Sequence, residues 1–207
     1  MNSQTQRLSL PGAVGALECA LDEPAGPPTG LAVVCHPHPQ HGGTMDNKVV
    51  QTIARACLQL GWRTLRFNYR GVGASAGAWD EGRGEVDDAL AAVAGARALE
   101  GSAGLPLALA GFSFGGHVAA NAAHRLAEGE KPQRLLLVAP STRNFVVPPV
   151  PEDTVLVHGE ADDVVPLQAS LDWARPQSLP VVVVPGVGHF FHGQLTLLKN
   201  IVLRAWR

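Results

Sequence analysis

Gly111-Phe112-Ser113-Phe114-Gly115 is the stretch of this 207-residue chain whose residue types and spacing bear most directly on chemistry. It follows the apolar run at 105–110 and precedes an alanine-rich helical stretch, so a G-x-S-x-G pattern falls between a strand and a helix. A sharp turn there strains Ser113 and exposes its hydroxyl, while glycines at 111 and 115 let strand and helix approach each other. The first N–H groups of the following helix point at the same spot, and the Phe114 N–H is placed to stabilise an oxyanion. A serine hydroxyl is a poor nucleophile without a base. His189 is the candidate, in Gly186-Val187-Gly188-His189-Phe190-Phe191 after the apolar run at 181–185, with Gly188 expected to give the backbone freedom to aim the ring. A histidine base in turn needs a buried carboxylate to hold its tautomer. The loop Glu160-Ala161-Asp162-Asp163, after the run at 154–158, is the source of that acid, because the preceding run ends Ala139-Pro140-Ser141 without one.

These residues can meet only if the chain brings the ends of several strands together. Eight runs are expected as strands: 7–10, 14–20, 31–36, 63–68, 105–111, 134–139, 154–158 and 181–185. Several are apolar on consecutive residues, which predicts burial on both faces in a parallel sheet covered by helices. The first two follow each other through Pro11-Gly12 and read as an antiparallel hairpin. Helical spacing is found at 47–60, 85–100, 114–127, 166–175 and 194–206. Asp46 is expected to cap the first helix, Gly61 to end it, and Pro166 to stand in the first turn of the fourth. The fold class is therefore α/β: one mostly parallel sheet of about eight strands by this count of runs, with helices on both faces, in a single domain over 1–207. In such a sheet ligands sit beyond the carboxyl ends of the strands, where Ser113, His189 and the acidic loop all fall.

Composition narrows the partners. Hydrophobic residues are 46% and charged residues 16%, which excludes a disordered polyelectrolyte. Lys+Arg 16 against Asp+Glu 18 leaves a net charge of −2 with no basic run, which argues against nucleic acid and acidic membranes. No apolar stretch approaches a membrane span and the first residues lack a signal-peptide pattern, so a cytoplasmic protein is expected. Three scattered cysteines, Cys19, Cys35 and Cys57, imply neither a disulfide framework nor a metal cluster. No phosphate loop or dinucleotide glycine pattern is present, so no cofactor is implied.

The order Ser113, Asp162, His189 resembles that of the α/β-hydrolase superfamily along nearly the whole chain. His158-Gly159-Glu160-Ala161-Asp162-Asp163-Val164-Val165-Pro166 is similar to the family's acid motif, whose register selects Asp162 over Asp163. Gly186-Val187-Gly188-His189-Phe190-Phe191-His192-Gly193 is similar to its histidine loop and selects His189 over His192. The family takes a second oxyanion donor from the loop after the third strand, here His36-Pro37-His38-Pro39-Gln40-His41-Gly42-Gly43. Pro37 and Pro39 have no N–H, so His38 is the best-placed early donor. This loop departs from the His-Gly-Gly-Gly type of lipases and resembles that of a small lidless subgroup near the dienelactone hydrolase-like proteins and carboxylesterases. Members with a cysteine nucleophile carry it in the elbow, where this chain has Ser113.

Other residues have plainer readings. His36 and His38 could chelate a metal as His-x-His, but local hydrogen bonding of His36 is favoured, and no metal site is expected. His117, His124 and His158 read as satisfied structural histidines, and Arg70 as the brace of a carboxylate. Cys35 and Cys57 fall on core faces. Phe112, Phe114, Met45 and Phe190 are placed to line a pocket, although packing accounts for aromatics there equally well. Only residues 140–153 separate the sixth and seventh strands, too few for a helical cap. The resemblance implies a serine hydrolase that cleaves esters of small soluble substrates through an acyl-enzyme. A thioesterase, an acyltransferase or a peptidase on the same serine, or a non-catalytic binding protein on the same fold, are the alternatives. The last strand leaves a homodimer through a sheet edge open.

Overall fold

All six residues of β5 (Leu107–Phe112) are buried, and alternation is the reason. Leu107 and Leu109 enter one apolar cluster, while Ala108, Ala110 and Phe112 enter another on the opposite face. β3 (Gly30–Cys35) divides in the same way, with Leu31, Val33 and Cys35 against Ala32 and Val34. So does β6 (Arg134–Val138), with Leu135 and Leu137 against Leu136 and Val138. Each of these three strands, apolar on consecutive residues, therefore carries a layer on each face, whereas the equally apolar run Val181–Val184 lies at the sheet edge with Val182 and Val183 exposed.

The computed structural model describes residues 5–206; residues 1–4 and 207, the two ends of the expected domain span, lie outside the described residues. The remaining strands are β1 (Gln6–Gly12), β2 (Gly15–Asp22), β4 (Trp62–Phe67), β7 (Val155–Gly159) and β8 (Val181–Val184). They form one eight-stranded sheet in the order β1-β2-β4-β3-β5-β6-β7-β8. β1 and β2 make the expected hairpin, β2 lies antiparallel to β4, and every other pair is parallel. Helices α2 (Arg83–Ala98) and α3 (Phe114–Arg125) cover one face; α1 (Lys48–Gln59) and α5 (Leu195–Ala205) cover the other. α4 (Leu167–Ala174) follows β7. No helix among the described residues is long and apolar enough to cross a membrane.

Two helix starts differ from expectation. Asn47, not Asp46, caps α1, its side-chain oxygen accepting the N–H groups of Val49 at 2.9 Å and Val50 at 3.4 Å. Asp46 is drawn away by two guanidiniums, Arg7 at 2.6 Å and Arg66 at 3.0 Å. Pro166 stands at the cap position of α4 instead of in its first turn, because its ψ of 133° is extended.

Arg70, in the loop between β4 and α2, does brace a carboxylate. Its backbone N–H, Nε and Nη2 donate to Asp88 of α2 at 2.9, 3.0 and 2.9 Å. Gly84 leaves room for the guanidinium, since a Cβ there would fall 1.9 Å from Arg70 Nη1. Both side chains are nearly inaccessible. Asp88→Ala strands a buried cation and is expected to cost about 3–5 kcal/mol, read as a lower midpoint in urea unfolding.

Candidate active site

Ser113 leaves β5 at φ 57° and ψ −121°, a backbone conformation that side chains other than glycine adopt only under strain. Three hydrogen bonds hold it there. Its N–H donates to the Val138 carbonyl at 2.9 Å, and its own carbonyl accepts from Gly116 at 2.9 Å and Ser141 at 3.2 Å. The flanking glycines are a steric requirement. A Cβ on Gly111 would lie 1.9 Å from the Gly115 carbonyl oxygen, and one on Gly115 would lie 2.3 Å from that of Cys35. The turn thus delivers Ser113 to the N-terminus of α3, where the Phe114 N–H has no partner within the helix.

His189 reaches the serine from the loop between β8 and α5. Its Nε2 lies 3.0 Å from Ser113 Oγ and its Nδ1 lies 2.7 Å from Asp162 Oδ2. The self-consistent assignment has Nδ1–H donating to the carboxylate and Nε2 accepting from the serine hydroxyl. Phe112 packs against the ring at 4.9 Å and Phe190 stands edge-on at 5.0 Å. Gly188 does not play the expected part, since its φ is not in the left-handed region. The loop turns at Gly186, Phe191 and Gly193, with φ 66°, 51° and 73°. The close approach is instead at Gly159, where a Cβ would meet the Val187 carbonyl oxygen at 2.2 Å. Ala161 N–H donates to that same carbonyl at 3.0 Å, so the acid and histidine loops are tied to each other. His192 stands exposed at the surface.

Asp162 is the acid that meets His189, while Asp163 is exposed. Its Oδ1 accepts the N–H groups of Val164 at 3.0 Å and Val165 at 2.7 Å. Burial alone would raise its pKa, but hydrogen bonds from His158 and His189, the His189 charge and the Val165 N–H outweigh that and hold it well below the usual carboxylate range. His158, expected to be a satisfied structural histidine, lies in β7 with its Nε2 2.9 Å from the Val165 carbonyl and 3.3 Å from Asp162 Oδ2. Its Nδ1 is buried without a partner among the described residues.

The loop after β3 is braced by His36. That ring's Nδ1 lies 2.7 Å from the Pro37 carbonyl, and its Nε2 accepts the Tyr69 N–H at 3.2 Å. Burial first, against the bond to Pro37, lowers its pKa to about 3, so the ring is neutral and both nitrogens are engaged. The His38 carbonyl accepts from His41 at 3.1 Å and Gly43 at 3.0 Å, while the His38 N–H has no acceptor among the described residues. The His38 ring sits among His41, Trp79, Phe114 and Phe145, with centroids 4.5, 4.6, 5.1 and 5.9 Å away. This aromatic wall draws Trp79 from the loop after β4 and Phe145 from the loop after β6. Neither was marked by the sequence reading, and the available signal was an aromatic in a strand-end loop. Beside the wall lies a groove of about 510 Å³ that Phe145, His117, Asn121 and Val146 help to line.

Of the other pocket candidates named from sequence, Phe112 and Met45 are fully buried and Phe190 is exposed. His117 engages the Val146 carbonyl at 3.0 Å, as a structural histidine should. His124 is exposed, because α3 turns that face to solvent. The connection between β6 and β7 contains no helix and no strand.

The fold has counterparts among known proteins. The family model described as Hydrolase_4, serine aminopeptidase, S33, matches residues 26–152. The chain is 37% identical to an α/β serine hydrolase without a lid from Xanthomonas campestris, with a TM-score of 0.88 covering 99% of this chain and 94% of that one. It is also 37% identical to an α/β serine hydrolase homologue from Coxiella burnetii, with a TM-score of 0.85 covering 98% and 97%. An uncharacterized protein of Rickettsia prowazekii (strain Madrid E) is 31% identical over 193 residues, 87% of this chain and 79% of that protein. With its serine elbow, its eight-stranded sheet and no cap between β6 and β7, the chain belongs to the Hydrolase_4 (serine aminopeptidase, S33) family and is a lidless serine hydrolase of the α/β-hydrolase fold.

Proposed function

We propose that the protein is a carboxylesterase-like enzyme that cleaves esters of small soluble substrates through Ser113, His189 and Asp162. The observation that carries this reading is the unbroken chain of contacts from Ser113 Oγ to His189 Nε2 at 3.0 Å and from His189 Nδ1 to Asp162 Oδ2 at 2.7 Å. His189 takes the serine proton as Oγ attacks the ester carbonyl, and Asp162 stabilises the resulting imidazolium without taking the proton. The N–H groups of Phe114 and His38 hold the oxyanion. His189 then returns its proton to the leaving alcohol. A water, deprotonated by the same ring, hydrolyses the acyl-enzyme. Without a cap, substrates reach Ser113 directly and no interfacial activation is needed.

The pH dependence follows from the same contacts. Asp162, held below the carboxylate range, stays ionised through the working range. Only the neutral form of His189 accepts the serine proton. The rate is therefore expected to rise with pH along a single-proton slope. A two-proton slope in kcat/KM would mean that Asp162 titrates with it.

The direct test is labelling by a fluorophosphonate, with heat-denatured protein as control. Labelling of the native protein alone establishes an activated serine, and absence of labelling in folded protein removes the enzymatic reading. A panel of p-nitrophenyl esters, acyl thioesters and aminoacyl anilides then separates esterase from thioesterase and aminopeptidase.

A further inference from the structure

The triad acid is approached by two imidazoles, and only one of them is explained by nucleophilic catalysis. His189 donates to Oδ2 from one side. His158 faces the same oxygen from β7, its Nε2 at 3.3 Å, with its main hydrogen bond at 2.9 Å to the Val165 carbonyl. Neither ring nor carboxylate has access to solvent, with side-chain exposures of 0% for both His158 and Asp162. We propose that His158 is a positioning residue for Asp162: its single N–H closes the acid loop on Val165 and takes up part of the charge on Oδ2 that would otherwise act on His189. This proposal rests on the triad reading above.

The chemistry of the two oxygens supports it. Val165 contacts both ends of the device, its N–H donating to Oδ1 at 2.7 Å and its carbonyl facing His158. The loop is thus closed twice, by the carboxylate itself and by the ring. Both acceptors in front of Nε2 call for a proton there, which makes Nδ1 the bare nitrogen, and that nitrogen has no partner. A lone pair left in an apolar interior costs far less than an unpaired N–H of an imidazolium would. His158 is therefore the neutral Nε2–H tautomer. Its neighbours bring no competing charge. β6 and β8 present Val138, Leu137 and Val183, and Ser170 is the buried polar group of α4. Glu160 and Asp163 on the acid loop, Asp172 on α4, Arg175 just after it, and His192 are exposed, and Lys199 on α5 is half-buried.

The sign of the effect separates this role from simple packing. Removing a donor from Oδ2 concentrates charge on the oxygen that holds His189, which favours the imidazolium and moves the acidic limb to higher pH. A ring that only filled space would lower stability and leave the limb in place. A loop that fell open would detach Asp162 and move the limb downward.

The experiment follows the second-order rate of fluorophosphonate labelling against pH, which needs no natural substrate. His158→Leu is expected to move the acidic limb up by a few tenths of a unit, the share of the weaker, 3.3 Å branch of a bifurcated N–H whose main acceptor is the Val165 carbonyl. His158→Gln, which can place an amide N–H near the Nε2 position, is expected to restore it. A limb that stays or moves down in His158→Leu overturns the proposal. Should the leucine variant fail to fold, ¹⁵N-histidine spectra of the wild-type chain decide, with the His158 signals assigned through His158→Gln. Neutral Nε2–H shifts support the proposal, and an imidazolium or an Nδ1–H tautomer overturns it. Those spectra require no turnover, so a chain that never labels refutes the triad reading while His158 is still tested.

Discussion

Ser113→Ala is expected to lower kcat/KM toward a p-nitrophenyl ester by about 10⁶-fold, with the fold intact. Nothing else in the arrangement can replace the lost oxygen, because His189 Nε2 has Ser113 Oγ as its hydrogen-bond partner. Ser113→Gly removes the same nucleophile but has a second consequence. At φ 57° and ψ −121° a side chain is held under strain, and glycine adopts the conformation freely. Relief of about 1–3 kcal/mol of strain outweighs the roughly 0.5–1 kcal/mol of extra chain entropy that glycine loses on folding. The glycine variant should therefore be inactive and unfold at higher urea than wild type. A glycine variant no more stable than the alanine variant would show that the elbow stores no strain, and turnover retained by both would place the nucleophile elsewhere.

The second large effect concerns the acid. Asp162→Asn is expected to cost about 10⁴-fold in kcat, while Asp163→Asn changes little. The asymmetry is geometric. Oδ1 accepts two backbone N–H groups, from Val164 and Val165, so an asparagine keeps its carbonyl oxygen on that side. Its amide nitrogen then faces His189 Nδ1 at the 2.7 Å position and donates where it should accept. The ring responds by moving its proton to Nε2, which presents an N–H to Ser113 and leaves no base. Steady-state rates of the two variants at one pH decide the matter; a fully active Asp162→Asn beside an inactive Asp163→Asn would exchange the roles of the two carboxylates.

The sheet was legible because burial on both faces leaves consecutive apolar residues. The runs at 105–111 and 134–139 mark β5 and β6 to within two residues at each end. The candidate site was legible for a related reason: Ser113, Asp162 and His189 each stand in the loop that follows an apolar run, and the fold brings the three side chains together. What escaped lies where no period exists. Asp46 and Asn47 are both good caps by type, and only the tertiary pull of Arg7 and Arg66 decides between them. Trp79 and Phe145 sit in loops whose path depends on the Arg70–Asp88 brace and on the chain after Ser141, so their meeting at His38 has no local signature. His158 and Asp162 are four residues apart across a turn, not a helix, and the approach of Nε2 to the carboxylate depends on how Gly159 lets that turn fold back.

Cys19, Cys35 and Cys57 are each fully enclosed, and burial pushes their thiols up to about 12. At pH 7 that leaves about one thiolate in 10⁵, with no path for an electrophile to reach it. The folded chain thus behaves toward iodoacetamide as though it contained no thiol, whereas the unfolded chain offers three ordinary thiols. Alkylation then advances only as fast as molecules open, and the rate of thiol loss becomes a clock for how often this sheet comes apart.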